Sequence, residues 1–237
     1  MRNCTHDKAY PFLYRDPTTV LTFTELGKIS EDKTFVKNIE AYAKNITKLE
    51  RPMFFTTMQE MNGSWYPWGQ NAKGFKKAWK FIHKVFDGTG ANEYTTWVWE
   101  PFTIPHSRTN VKYPEHFYPG DEYVDWVGVS IYRKAEFAEY DKSLGALGGG
   151  TIRSLHKNHP DKPLIISEMG SDNDARQPSW FTEAFNHIRR RPEIKGTVIW
   201  DNFNYPVNFN HFVTEDSYAA LKKVFQDQYF LGFRDNT

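Results

Sequence analysis

The sequence predicts an α/β fold made of parallel βα units, in the form of a (β/α)8 barrel. Short runs rich in β-branched and aromatic residues alternate with segments of helical periodicity, at roughly 30–40 residues per unit. Acidic residues stand at or near the C-terminal ends of most of these runs. No glycine-rich phosphate loop follows any run, which weakens the alternative of an open, doubly wound nucleotide-binding sheet.

Six strands are predicted from these runs. They cover residues 18–26, 51–60, 94–100, 124–132, 162–170 and 196–203. A complete barrel of this class has about eight βα units, and residues 1–17 are typical of a loop rather than of two further units. We therefore expect one (β/α) domain over residues 1–237 that lacks its first two units, or a barrel that is incomplete or completed by another chain.

Helices are predicted between most of the strands. Ser30 and Asn71 are candidate N-caps, and Gly88 is expected to end the helix that follows Asn71. Pro178 is expected to open a third helix, since proline fits the first turn. A last helix has an apolar face made of Tyr218, Leu221, Val224 and Phe225. The segment LGALGGG (144–150) is expected to be a loop, because glycine disfavours helix.

Composition excludes several classes of protein. The formal net charge of +1 gives no electrostatic support for binding nucleic acid or an anionic membrane. The one cysteine, Cys4, excludes an intrachain disulfide framework and a cysteine-based zinc site. The eight histidines show no HExxH-type spacing, so we expect neither a metal nor a cofactor. Aromatic residues make up 17% of a polar chain, which suits a surface that stacks rings on sugars.

The chain also shows no sign of membrane insertion. No apolar run approaches the ~20 residues of a membrane-spanning helix. The N-terminal residues MRNCTHDKAY contain no apolar core of a signal peptide. The pattern predicts no membrane partner and gives no indication of the oligomeric state.

Carboxylates are concentrated where a barrel would place its active site. The acids at the strand ends are Glu25, Glu60, Glu100, Glu168 and Asp201. The C-terminal ends of barrel strands converge at one mouth, where the active sites of this fold lie. Two carboxylates across a cleft are the usual apparatus for cleaving a glycosidic bond. The sequence therefore favours a glycosidase.

Two of these acids lie in distinctive surroundings. Glu60 belongs to MQEMNGSWYPWG (58–69), which combines an amide, two glycines and three aromatic rings with one carboxylate. Glu168 ends an apolar strand, in the segment IISEMGS. The segments EMNGSWYPWG, YPGDEYVDWVGVSIY and SEMGS together resemble glycoside hydrolase family 26, a family of β-mannanases built on (β/α)8 barrels. The resemblance runs from about residue 18 to about residue 232.

The resemblance implies catalytic roles for three residues. Glu60 matches the acid/base on the fourth strand of the barrel, and Glu168 matches the nucleophile on the seventh. Tyr132 matches a tyrosine on the sixth strand that hydrogen-bonds the nucleophile. The implied activity is endo-acting, retaining hydrolysis of β-1,4-mannosidic bonds in mannan-type polysaccharides.

The resemblance also implies residues that bind the substrate. Trp65 matches the tryptophan that follows the acid/base motif, and Trp200 matches the tryptophan that forms the sugar platform at the cleavage subsite. Asn62, Trp68 and Gln59 complete the candidate binding residues. Gln59 departs from the family, which usually has histidine immediately before the acid/base.

Because of that departure, alternatives stay open. One is a β-1,3-1,4-glucanase or xylanase of the same family, and another is a catalytically weakened relative that binds glycans. The resemblance further implies a secreted or extracellular protein.

Overall fold

The computed structural model describes residues 26–104, 111–201, 212–227 and 229–230. The described residues form two compact units. The first contains residues 26–102 and 111–127, and the second contains residues 103–104 and the described residues from Gly128 onward. Most of the predicted strand 18–26, together with Glu25, lies outside the described residues. Its last residue, Leu26, begins a 3-10 helix, Leu26–Glu31.

The first unit is built from parallel strands and the helices that connect them. Its helices are α1 (Lys33–Leu49) and α2 (Ala72–Gly88), and its complete strands are β1 (Met53–Phe55) and β2 (Thr95–Trp99). Short 3-10 helices cover Ala91–Tyr94, Pro114–Phe117 and Asp121–Tyr123. Strand β1 pairs in parallel with β2, and β2 pairs in parallel with Trp126 and Val127, the start of β3 (Trp126–Arg133).

The caps of the two helices show which local signals were reliable. Asn71 caps α2 as predicted, since its side-chain oxygen accepts a hydrogen bond from the Gly74 amide at 3.0 Å. The prediction of Ser30 as a cap was wrong. Asp32 caps α1 instead, and its carboxylate accepts from the amides of Thr34 and Phe35. Ser30 lies within the preceding 3-10 helix, Leu26–Glu31.

Aromatic side chains form the core of the first unit. The Trp97 ring on β2 lies 5.4 Å from Trp79, 5.0 Å from Phe86 and 5.0 Å from Phe55, measured between ring centroids. These contacts bring α2, β1 and β2 onto one core. Trp79 and Phe86 share a face of α2 because they are seven residues apart, which is two helical turns.

The second unit continues the same βα alternation. It holds the rest of β3, followed by α3 (Leu144–Asn158), β4 (Leu164–Ser171), α4 (Gln177–Ile188), β5 (Ile194–Ile199) and α5 (Glu215–Val224). Strand β3 neighbours β4, and β4 pairs in parallel with β5. Pro178 lies in the first turn of α4, as predicted. The repeated units confirm the predicted (β/α)-barrel class of fold.

The glycine-rich segment LGALGGG corrects the sequence prediction. It is not a loop, because it forms the first half of α3, where the Ser143 hydroxyl caps the helix by accepting from the Ala146 amide. Glycine at position 148 allows α3 to pack closely against β3. A Cβ there would lie 2.4 Å from Cδ1 of Ile131 on β3. The contact between α3 and β3 outweighs the low helix propensity of glycine.

Two other elements differ from the prediction. Strand β1 ends at Phe55 rather than at residue 60, because Met58 and Glu60 have left-handed backbones with φ of 54° each. In α5 only Ser217 and Leu221 are buried, so the predicted apolar face is largely exposed. No helix within the described ranges is long and apolar enough to cross a membrane.

Candidate active site

Glu60 lies in an irregular loop that follows β1 in the first unit. Its amide donates a 2.7 Å hydrogen bond to the carbonyl of Glu100, the residue directly after β2. The loop that carries Glu60 is therefore joined through its backbone to the end of the neighbouring strand β2. The left-handed conformation of Glu60 is unusual for a residue other than glycine, and such conformations concentrate at functional sites.

Trp65 holds the Glu60 carboxylate. Its indole Nε1 donates to Glu60 Oε2 at 2.5 Å, and its ring meets that of Phe102 edge to face at 4.8 Å. Gly63 makes this arrangement possible, since a Cβ at that position would lie 2.3 Å from the Trp65 ring. Trp65 remains 39% exposed, so part of its ring faces solvent beside the acid.

Asn62 and Trp68 shape the loop from inside. Asn62 is fully buried, and its amide group donates to the carbonyls of Phe102 and Lys112 and accepts from the Phe102 amide. Trp68 is also buried, and its indole donates to the carbonyl of Gln59 at 2.8 Å. The hydrogen bonds found for these two predicted binding residues are thus made to the protein backbone.

The side chain of Gln59 is buried next to Glu60. Its Oε1 atom has no hydrogen-bond partner among the residues that the structure describes. A buried amide oxygen without a partner is costly, so such a group is expected to meet a donor when a ligand binds.

Tyr132 and Glu168 meet in the second unit. The phenol of Tyr132, near the end of β3, donates to Glu168 Oε2 on β4 at 2.7 Å, and both residues are buried. A hydrogen bond to a carboxylate stabilises its charged form and fixes its orientation. The sequence predicted this pair, and the structure places the two side chains in contact.

Arg133, the residue after Tyr132, carries a cluster that the sequence analysis missed. Its guanidinium makes two hydrogen bonds to Asp174, at 2.8 and 2.7 Å, and one to Asp141 at 2.7 Å. It also donates to the Ser171 hydroxyl at 3.0 Å. Hydrogen bonds from Arg133 hold the pKa of Asp174 below its usual value, and the pairing with Asp174 raises the pKa of Arg133. The only signal in the sequence is Arg133 directly after the predicted strand 124–132, together with Asp172 and Asp174 after the predicted strand 162–170.

The end of β5 is anchored to the start of α5. The Trp200 amide donates to the Met169 carbonyl at 2.8 Å, and its side chain is half-buried. The next residue, Asp201, accepts from the amide of Val213 at 2.9 Å and from the phenol of Tyr218. The hydrogen bond that the Tyr218 phenol donates to Asp201 raises the pKa of the phenol. Asp201 was predicted as a strand-end acid, and its observed contacts are structural.

Gln177 ties the same region to β4. This fully buried side chain donates to the carbonyls of Ser171 and Phe212 and accepts from the Thr214 amide and the Ser217 hydroxyl. All the hydrogen-bonding capacity of its amide group is used within the protein. Within the part of the chain that the structure describes, no group of three or more acidic, histidine or cysteine side chains could hold a metal ion.

Each of the two candidate catalytic carboxylates therefore accepts a hydrogen bond from an aromatic side chain of its own unit. In the first unit, an indole donates to Glu60 and leaves part of its ring exposed. In the second unit, a phenol donates to Glu168. Carboxylates oriented in this way are suited to proton transfer and to nucleophilic attack, the two tasks of glycosidic bond cleavage.

Comparison with known proteins agrees with these features. The chain is 31% identical over 189 residues to a mannan endo-1,4-beta-mannosidase of Bacillus subtilis, covering 74% of this chain and 44% of that protein. It is 24% identical over 197 residues to endoglucanase H of Acetivibrio thermocellus, covering 79% of this chain and 21% of that protein. The chain thus spans less than half the length of these relatives.

A solved structure shows the same fold. The catalytic domain of the GH26 endo-beta-1,4-mannanase of Bacillus sp. JAMB-750 superposes with a TM-score of 0.64 at 20% identity, covering 84% of this chain and 58% of that one. The family model of glycosyl hydrolase family 26 matches residues 18–211, which include Glu60, Tyr132 and Glu168. The chain therefore belongs to glycosyl hydrolase family 26.

Proposed function

We propose that this chain is an endo-acting, retaining β-glycanase that hydrolyses β-1,4-mannosidic bonds in mannan-type polysaccharides. The observation that carries this proposal is the 2.7 Å hydrogen bond from Tyr132 to Glu168. It orients a buried carboxylate within β4, which is what a nucleophile in a double displacement needs. The similarity to the mannosidase of Bacillus subtilis supports mannan as the substrate.

The reaction takes place in two steps. Glu60 protonates the glycosidic oxygen while Glu168 attacks the anomeric carbon, so that the leaving sugar departs and a glycosyl-enzyme ester forms. Glu60, now a carboxylate, removes a proton from water, which attacks the same carbon and releases Glu168. A retaining mechanism requires two catalytic carboxyl groups that lie about 5–5.5 Å apart.

The aromatic residues bind the sugar chain. The exposed part of Trp65 would stack on a pyranose ring next to Glu60, and Trp200 would form the platform at the cleavage subsite. The buried oxygen of Gln59 supports a contact with a sugar hydroxyl, which would supply the donor that the protein does not. The contacts of Asn62 and Trp68 support a role in shaping the loop that presents these groups.

Azide rescue of two single variants tests the assignment. Glu60→Ala should lower hydrolysis of polysaccharide by a factor of ~10²–10⁴, because a sugar leaving group needs the proton. An aryl glycoside with a good leaving group should still form the glycosyl-enzyme, and azide should release it as the β-glycosyl azide. Glu168→Ala should be inactive on every glycan, and azide should give the α-glycosyl azide by direct attack.

Controls make the azide test specific. The exposed acids Glu93 and Glu183, one in each unit, provide matched substitutions to alanine that should leave activity unchanged. Near-parental activity on polysaccharide in either catalytic variant would refute the assignment of that residue.

A second candidate function is cleavage of another β-glycan. The similarity to endoglucanase H supports a β-glucan as the substrate, and Gln59 stands where the family usually has a histidine close to the sugar. Release of reducing sugar from mannan, glucomannan, lichenan and xylan would separate these substrates. If the parent protein released none but bound oligosaccharide in a way that depended on Trp65 or Trp200, a glycan-binding function would replace hydrolysis.

A further inference from the structure

Arg133 lies directly after Tyr132, but the two side chains make different contacts. Successive residues of a strand point to opposite faces. The Tyr132 phenol reaches Glu168, while the Arg133 guanidinium reaches Asp174, Asp141 and Ser171. On one side, the end of β3 is thus held by the hydrogen bond from Tyr132 to Glu168. On the other side, it is held by the ion pairs of Arg133.

The cluster joins the segments that follow β3 and β4, the strands that carry Tyr132 and Glu168. Asp141 belongs to the segment after β3, and Ser171 and Asp174 belong to the end of β4 and the segment after it. The backbone adds two further links. The Asp172 amide donates to the Arg133 carbonyl at 3.2 Å, and the Asp172 carboxylate accepts from the Ala135 amide at 2.6 Å.

The charges of the cluster are arranged to hold this geometry. The Arg133 side chain is only 2% exposed, and its planar guanidinium matches the two oxygens of Asp174. Arg176, on the exposed side, pairs with the same Asp141 oxygen at 2.9 Å. Asp174 and Asp141 are partly exposed, whereas the charge of Arg133 is buried and depends on these two acids for its pairing.

From these contacts we propose that Arg133 is a positioning residue for the Tyr132–Glu168 pair. It fixes the ends of β3 and β4 relative to each other, so that the phenol stays within hydrogen-bond distance of the nucleophile. Arg133 makes no contact with the reacting atoms and acts only through the two strands. The inference rests on the proposed function of Glu168 as nucleophile.

The test uses a probe that reports on the nucleophile alone. A 2-deoxy-2-fluoro glycosyl fluoride forms a stable ester with the nucleophile, and its fluoride leaves without needing the acid Glu60. The rate of this labelling, measured by mass spectrometry per folded molecule, should fall by one to two orders of magnitude in Arg133→Lys. Lysine keeps the charge but cannot make the paired hydrogen bonds of the guanidinium.

Further variants keep the test decisive if Arg133→Lys does not fold. Asp174→Asn keeps the arginine and weakens its pairing, and it should slow labelling by a smaller factor. In Arg133→Ala, added guanidinium should partly restore the labelling rate. The matched control is Asp227→Asn, which breaks the exposed pair between Arg189 and Asp227 at 2.8 Å and should label at the parental rate.

The outcomes separate this inference from the proposed function. If the parent protein is not labelled at Glu168, the proposed function fails. If the parent is labelled and the variants of Arg133 and Asp174 are labelled at the parental rate, the positioning role is refuted even though the function stands. A loss of stability with no change in labelling rate per folded molecule would also refute it, since it would show a purely structural role.

Discussion

The two candidate catalytic acids lie in contrasting surroundings. Glu60 is part of an irregular loop and has a left-handed backbone, and the side chain that holds it, Trp65, is five residues away in the same motif. Glu168 lies in a regular strand, and the side chain that holds it, Tyr132, is 36 residues away on the neighbouring strand. The geometry of the first acid is therefore encoded mainly by one short segment, and that of the second by the packing of two βα units.

This difference predicts where each acid is sensitive. The orientation of Glu60 should be lost when one of the few side chains that hold its loop is removed. The orientation of Glu168 should be lost when the packing of β3 and β4, or the ion pairs of Arg133, are disturbed. Substitutions outside the two carboxylates can therefore test the contrast.

The largest effect is expected at Asn62, the anchor of the Glu60 loop. Asn62→Ala removes three hydrogen bonds from a fully buried side chain to the backbone of Phe102 and Lys112, which should lower the free energy of unfolding by about 3 kcal/mol. Hydrolysis of polysaccharide should fall as well. Labelling of Glu168 by the 2-deoxy-2-fluoro glycosyl fluoride should continue at the parental rate in folded protein.

Asn92 supplies the control for Asn62. Its amide also bonds within the first unit, to His83 and Trp97, but lies outside the Glu60 loop. Asn92→Ala should cost less stability and leave hydrolysis intact. Urea unfolding and reducing-sugar release measure the two quantities, and equal loss of hydrolysis in both variants would contradict the special role of the loop.

A smaller effect is expected where α3 packs on β3. Gly148→Ala places a methyl group against the buried Ile131, beside Tyr132, and should destabilise the protein by about 1–2 kcal/mol. Gly149→Ala is the matched control, because its Cβ would meet only the Arg153 guanidinium at 3.5 Å and the Arg191 guanidinium at 4.0 Å. It should stabilise the helix by about 0.5–1 kcal/mol. Thermal unfolding of both variants would show opposite signs, and the same sign would contradict the packing argument.

The smallest effect concerns pH and the Arg133 cluster. The pKa of Asp174 is lowered in the folded protein, chiefly by hydrogen bonds from Arg133, so its charge stabilises the fold above the ordinary value of 3.8. That contribution is lost as the pH falls below 3.8 and through the lowered pKa. Because Asp174 is partly exposed, Asp174→Asn should cost only about 0.5–1 kcal/mol near neutral pH.

The measurement for Asp174 is the difference in unfolding free energy between the parent and Asp174→Asn. It should shrink toward zero as the pH is lowered below 3.8. Asp227→Asn provides a comparison. The pKa of Asp227 is also lowered, but the largest cause is a hydrogen bond from the Tyr229 amide and not one from an arginine. A difference for Asp174 that did not change with pH would show that its charge is not what stabilises the cluster.

The sequence predicted the parallel βα units, the Asn71 cap and the contact between Tyr132 and Glu168. These features depend on periodicity, on local cap chemistry and on a resemblance carried by short motifs. The α3 helix was missed because its stability comes from Gly148 packing against a strand 17 residues earlier, which no local propensity records. The Arg133 cluster was missed because Asp174 is 41 residues away in the chain. The early end of β1 was missed because left-handed residues such as Met58 have no strong sequence signal.

The anchoring of Asp201 has a consequence for how the protein could diversify. Asp201 and Val213 are held together by a 2.9 Å hydrogen bond, and Gln177 secures Phe212 and Thr214 from the other side. The ten positions between Asp201 and Phe212 thus join two fixed points of the chain. Doubling the length of such a connection costs only about 0.6 kcal/mol in closure entropy. Because the anchors on both sides have hydrogen bonds of their own, an insertion between them should leave the contacts of Asp201 and Gln177 intact.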